Sequence, residues 1–202
     1  MRVWYYALLS IVWPFFTLFH PVRHVGRENI PEGGAVFCGN HSAMSDPFFV
    51  VYGVGWKNQM RVMAKAEVMR IPVVGWLLSK AGVFGVDRGK ADVGAVKTAM
   101  KYLKSGEKVL IFPEGTRVKD GVGHDGQESE AKTGAAMLAM RTGVPIVPVY
   151  IPEKKKWFRF TTVTIGEPYY PQSAEKRATA EEYHAVAEAV MERIYAMGKE
   201  SA

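Results

Sequence analysis

Short apolar runs alternate with segments of helical length and spacing along most of the chain. The runs near 35–39, 59–64, 82–86, 107–112, 144–150 and 160–166 are bounded by turn residues, and each predicts a strand. Between them, Ile71 to Lys80 and Ala91 to Lys104 predict helices, the second with Val93, Val96, Met100 and Leu103 on one face. Ala131 to Arg141 predicts another, stopped by Gly143. The last helix opens on a capping box, Thr179-Ala-Glu-Glu182, and carries the stripe Tyr183, Val186, Ala187, Val190, Ile194 and Met197. This alternation predicts an α/β fold with a mostly parallel or mixed central sheet and flanking helices. No repeat or linker divides residues 23–202, which read as a single domain. Val144-Pro-Ile-Val-Pro-Val149 predicts an edge or irregular strand, because proline cannot donate to a ladder. Val118 to Glu130 is polar and glycine-rich, the pattern of a functional lid or a disordered loop.

The N-terminus breaks the pattern: Val3 to Phe19 is apolar and aromatic, with no charge. It is slightly short of the roughly 20 apolar residues of a spanning helix, is interrupted at Pro14, and lacks a signal-peptide cleavage site. Residues 1–22 therefore read as a hydrophobic, helical membrane-interface segment, monotopic or peripheral in preference to spanning. A helix packed on the domain is the other reading. Lys154-Lys-Lys-Trp-Phe-Arg-Phe160 suits anionic headgroups, or is a solvated loop leading into a strand. The expected contacts with an anionic membrane surface are Trp4, Trp13, Phe15, Phe16, Lys154, Lys155, Lys156 and Trp157.

Composition narrows this little further. The 202 residues, 48% of them apolar, suffice for one domain, and a net charge of +6 implies an anionic partner: nucleic acid, a phospholipid surface or an acidic substrate. Cys38 is the single cysteine, so no internal disulfide forms; within an apolar strand it reads as a buried, inert thiol. Asn40-His-Ser42 matches a glycosylation sequon by accident. His20, His24, His124 and His184 form no ligand spacing, so no metal is expected.

Three islands carry chemistry. In His41-Ser-Ala-Met-Ser-Asp46, after the run Ala35 to Gly39, a carboxylate that fixes one ring nitrogen would leave the other to take a proton. Alternatively, Asp46 before Pro47 only caps a helix and His41 is a polar loop residue. Gly82 to Gly89 turns from strand to helix, putting Arg88 where anions bind, although Phe84 and Ala91 rule out a P-loop. Val109 to Arg117 ends on a guanidinium suited to phosphate, with Glu114 placed to orient Arg117. Surface salt bridging is the alternative for both arginines; Lys65 is a third candidate cation.

In this order, Asn-His-x-x-x-x-Asp at 40–46, Gly-x-x-x-x-Asp-Arg at 82–88, Phe-Pro-Glu-Gly-Thr-Arg at 112–117 and Val-Pro-Ile-Val-Pro at 144–148 resemble the glycerolipid acyltransferases that include 1-acylglycerol-3-phosphate acyltransferases. The resemblance implies His41 as catalytic base, Asp46 as its partner, and Arg88, Glu114, Gly115, Thr116, Arg117 and Lys65 at the substrate phosphate. It implies lysophosphatidate as acceptor and an acyl-CoA or acyl carrier protein thioester as co-substrate, with no cofactor and no nucleic acid partner. It places the enzyme at the cytoplasmic face of a membrane. Ile71 to Leu78 then lines an acyl-chain groove or lies in the core. Acyl transfer to glycerol 3-phosphate or another lysophospholipid, thioester hydrolysis by water, and a non-catalytic protein that binds anionic membranes are the competing expectations.

Overall fold

The computed structural model describes residues 2–87, 92–119, 122–123, 131–173 and 178–200. In chain order the elements are α1 (Arg2–Phe19), β1 (Val22–Val25), β2 (Ala35–Gly39), α2 (Asp46–Val54), β3 (Met60–Lys65), α3 (Ala66–Met69), α4 (Val74–Lys80), β4 (Val83–Val86) and α5 (Val93–Lys104). There follow β5 (Lys108–Ile111), β6 (Val118–Lys119), β7 (Val122–Gly123), α6 (Gly134–Thr142), β8 (Ile146–Tyr150), β9 (Thr161–Ile165) and α7 (Ala180–Glu200). Seven strands form one sheet in the order β1-β9-β8-β2-β5-β3-β4. β8, β2, β5, β3 and β4 are mutually parallel; β9 runs antiparallel to β8 and carries β1 parallel at the edge.

Both sheet faces are covered, which is why the central strands read as unbroken apolar runs. Val36 and Cys38 of β2 face the helices α5, α6 and α7 through Ala99, Leu103, Ala136, Leu138, Val190 and Ile194. Ala35 and Phe37 turn to the opposite layer, where Phe49, Val50 and Val54 of α2 pack with Phe16 of α1. Burying each phenylalanine contributes about 1.5–3 kcal/mol. α7 begins with the expected capping box: Thr179 N–H donates to Glu182 Oε2 at 2.8 Å, and Glu182 N–H to Thr179 Oγ1 at 3.2 Å.

Several expectations change. The proline-bearing strand β8 is interior, between β9 and β2. Ile146 and Pro148 turn their backbone groups to the β9 side, where they meet residues just beyond that strand: Ile146 pairs with Tyr169, and Pro148 O accepts from Gly166 N–H at 2.8 Å. The donor that Pro148 lacks faces this irregular start of the β8–β9 pairing and not β2, so the parallel ladder to β2 is left intact. α5 buries Ala95, Ala99 and Leu103, small residues that allow close approach, while Val93 is exposed. Ile71, Val73, Val74 and Trp76 are exposed around α4, which rules out the core reading of that segment.

α1 continues through Pro14, which costs one helical hydrogen bond. Packing on either side holds it: Trp13 sits edge-on to Tyr52 at 4.3 Å between centroids, and Phe16 contacts Phe49 at 5.0 Å. Trp13 and Phe16 therefore face the domain, contrary to the membrane contacts expected of them. Trp4, Ile11, Phe15 and Leu18 face outward. No helix among the described residues is long and apolar enough to cross a membrane. Of the polar loop, the described part is the hairpin β6–β7.

The five parallel strands bring their carboxyl ends to one edge. His41 follows β2, Glu114 follows β5, Ile151 follows β8, Lys65 ends β3 and Asp87 follows β4.

Candidate active site

His41 is the second residue beyond β2, and its backbone is gripped on both sides. Its N–H donates to Glu114 Oε2 at 2.8 Å, and its carbonyl accepts from Val118 N–H at 2.7 Å. Its ring stacks on Phe112, with centroids 4.3 Å apart. Nδ1 lies 3.0 Å from Asp46 Oδ2. A carboxylate can only accept, so Nδ1 carries the proton and Nε2 keeps its lone pair in the neutral ring.

Asp46 is fully buried, at 0% exposure. It is the first residue of α2, with Ser45 at the N-cap position, so it does not cap the helix as expected. Its Oδ2 instead turns back to accept from the N–H groups of Ser42 at 2.6 Å and Ala43 at 2.7 Å, which folds the His41–Asp46 loop around the carboxylate. Its Oδ1 lies 2.7 Å from Lys155 Nζ, an ion pair not aligned as a hydrogen bond. Burial pushes this carboxyl upward, but the His41 bond and the Lys155 charge outweigh it and hold Asp46 below the ordinary carboxylate range.

Lys155 was expected on the membrane patch; its side chain is instead 6% exposed and donates to Ser42 Oγ at 2.8 Å. Asn40 brings it there. The buried Asn40 amide donates to Ile151 O and accepts from Ile151 N–H, both at 2.8 Å, joining the ends of β2 and β8. Bonded in this way, Asn40 is no glycosylation acceptor.

Glu114, 3% exposed, makes no ion pair with Arg117 among the described residues. Its second oxygen accepts from the Tyr195 hydroxyl on α7, so it braces His41 against the last helix. Burial raises its carboxyl from 4.5 to about 7, only partly offset by the bonds from Tyr195 and His41. Gly115 closes the turn at φ +69, donating to Phe112 O at 3.0 Å; Thr116 and half-buried Arg117 lead to Val118. Among the described residues Arg117 has no ion-pair partner. Lys65 is half exposed and pairs with Glu67 at 3.2 Å. Arg88 lies outside the described residues. Cys38 is buried and its thiol is pushed up by burial, which removes it as a nucleophile.

Among the described residues no group of three or more His, Cys, Asp or Glu could hold a metal ion. Sequence reasoning missed Lys155, Asn40, Phe112 and Tyr195. Lys155 is one of three adjacent lysines and Tyr195 lies beside the apolar stripe of its helix, so neither carried a local signal.

The family model described as Acyltransferase matches residues 21–152. The 1-acyl-sn-glycerol-3-phosphate acyltransferase of Bacillus subtilis is 32% identical over 180 residues, 86% of this chain and 86% of that one. Its counterpart in Pseudomonas aeruginosa is 32% identical over 168 residues, and the chloroplastic one of Arabidopsis thaliana 30% over 151. These alignments take in 77% and 72% of this chain but only 62% and 40% of the relatives' lengths. The crystal structure of the 1-acyl-sn-glycerophosphate acyltransferase PlsC from Thermotoga maritima superposes with a TM-score of 0.69 at 26% identity, covering 97% of this chain and 79% of that one. The chain belongs to the acyltransferase family.

Proposed function

We propose that this protein transfers a fatty acyl group from an acyl-CoA or acyl carrier protein thioester to the sn-2 hydroxyl of lysophosphatidate, forming phosphatidate. The observation that carries the reading is the His41–Asp46 pair at 3.0 Å, on the strand edge that also carries Arg117. His41 Nε2 takes the proton of the acceptor hydroxyl as its oxygen attacks the thioester carbonyl. The tetrahedral intermediate then expels the thiolate, which receives that proton from the imidazolium. No protein nucleophile is required. Arg117, with Arg88 and Lys65, binds the acceptor phosphate, and Gly115 and Thr116 shape the turn that presents Arg117. A phosphate held away from the reacting carbon orients the hydroxyl and so lowers the barrier. The exposed apolar residues Met44, Phe48, Val73 and Trp76 offer contact to the acyl chain.

The protein works at the cytoplasmic face of an anionic membrane, through two neighbouring surfaces. One is the outer side of α1, with Trp4, Phe15 and Leu18. The other is the loop carrying Lys154, Lys156, Trp157, Phe158 and Phe160, its three aromatic rings about two-thirds exposed. Phe158 N–H donates to Phe19 O at 2.8 Å, and Phe19 contacts Trp157 at 5.5 Å, which supports a single docking face. Exposed rings beside lysines suit a headgroup interface.

The test is phosphatidate formation from acyl thioester and lysophosphatidate by the purified chain. His41→Ala should reduce kcat by about 10²-fold or more while the fold persists. A wild-type chain that binds vesicles but transfers no acyl group would refute catalysis, and an active His41→Ala would refute the base.

A further inference from the structure

A lysine buried to 6% exposure is costly to maintain unless its charge is matched, and here the matching charge is Asp46. Lys155 Nζ is 2.7 Å from Asp46 Oδ1, donates to Ser42 Oγ at 2.8 Å, and lies 5.9 Å from the centre of the Phe49 ring. Ser42 N–H binds the other oxygen of the same carboxylate at 2.6 Å. The two oxygens of Asp46 thus divide their partners: Oδ2 takes His41 and two backbone amides, and Oδ1 faces the ammonium.

We infer that Lys155 is a positioning residue for the proposed base: its buried ammonium keeps Asp46 a carboxylate aimed at His41 Nδ1, and it acts from the loop that carries Trp157 and Phe158. The neighbouring lysines Lys154 and Lys156 are exposed, so the three adjacent lysines do different jobs. The Asn40–Ile151 amide pair sets the height at which the chain leaves β8 and lets Lys155 reach under the His41 loop.

The inference rests on the reading of His41 as the base, and its first test does not require turnover. The charged and titratable groups around Asp46 are His41 on its own loop, Lys155 and Glu153 beyond β8, Glu114 beyond β5, and Tyr195 of α7 behind Glu114. Lys155 is the one lysine or arginine among them, and it forms an ion pair with Asp46. Removing a positive charge raises the proton affinity of the groups beside it. In Lys155→Met the midpoint of the His41 ring titration, followed by NMR on the full chain and assigned with a His41→Gln spectrum, should rise by about 1–2 pH units. Lys155→Arg keeps the charge and should restore the midpoint. A lysine whose charge does not act on the pair would lower the folded fraction and leave the midpoint unmoved, and an unmoved midpoint overturns the inference.

Should Lys155→Met fail to fold, Asp46→Asn/Lys155→Met removes both charges and is compared with Asp46→Asn. With no carboxylate to hold, losing Lys155 should change kcat/KM by less than about threefold, and a further loss of about tenfold overturns the inference. A wild-type chain that transfers no acyl group refutes the proposed reaction, while the ring titration still decides the role of Lys155.

Discussion

Glu114→Gln should flatten the pH dependence of stability between about pH 4.5 and 7. The substitution preserves both contacts: the Gln carbonyl accepts from His41 N–H, and its amide donates to the Tyr195 oxygen. What it removes is the titration. In the folded chain burial raises the Glu114 carboxyl from 4.5 to about 7, so across that window the native state holds a proton that the unfolded chain has released. The native state binds more protons there, hence wild-type stability is full below pH 4.5 and falls as pH rises toward 7. The gap of about 2.5 pH units, at about 1.4 kcal/mol each, sets an upper bound of roughly 3–4 kcal/mol. Urea unfolding of both proteins at intervals across the window measures it, because the other titrating groups cancel in the difference. The variant should gain on wild type steadily as pH rises. A difference that stays constant with pH would refute the argument, and a variant that lost ground would reverse its sign.

Four further outcomes follow from the same geometry. Asn40→Ala leaves the buried N–H and carbonyl of Ile151 unpaired and should cost about 2–4 kcal/mol in denaturant unfolding. Arg117→Met should raise KM for lysophosphatidate more than it lowers kcat, as expected for a group that anchors phosphate away from the bond being made. Trp157→Ser with Phe158→Ser should weaken binding to vesicles of anionic phospholipid about tenfold or more, with only a small change in Tm, because both rings are about two-thirds exposed and touch the domain chiefly at Phe19. Cys38 should react with a thiol reagent only at the rate of unfolding, since it is 0% exposed at the centre of the sheet.

The elements legible in the sequence were those whose neighbours are generic. β2, β5 and β8 are covered on both faces by apolar helices, so any Val- or Ile-rich run of that length declares itself. β1 was not legible because Val22-Arg23-His24-Val25 is a largely exposed edge strand, held by register against β9 and not by an apolar pattern. The sidedness of α1 was hidden for the opposite reason: aromatic residues lie on both its inner and its outer side, and only the position of Tyr52 and Phe49 decides that Trp13 and Phe16 turn inward while Phe15 and Leu18 do not. At the site, His41 and Asp46 were readable because one short loop joins them. Lys155, Ile151 and Tyr195 reach the same loop from beyond β8 and from α7, and no local spacing encodes such a meeting.

The segment Phe112 to Arg117 gains a different meaning from this arrangement. A glutamate next to an arginine and a threonine invites reading the whole stretch as an anion site. Yet Phe112 stacks on the His41 ring, Glu114 holds the His41 N–H, and Val118, just beyond, holds its carbonyl. Most of the segment is therefore scaffold for the proposed base, and Arg117 is its member with no ion-pair partner among the described residues. Substitutions at Phe112 or Glu114 should thus act on kcat through the placement of His41, whereas those at Arg117 should act on acceptor binding. The two effects can be told apart within one short stretch of chain because its side chains face different partners.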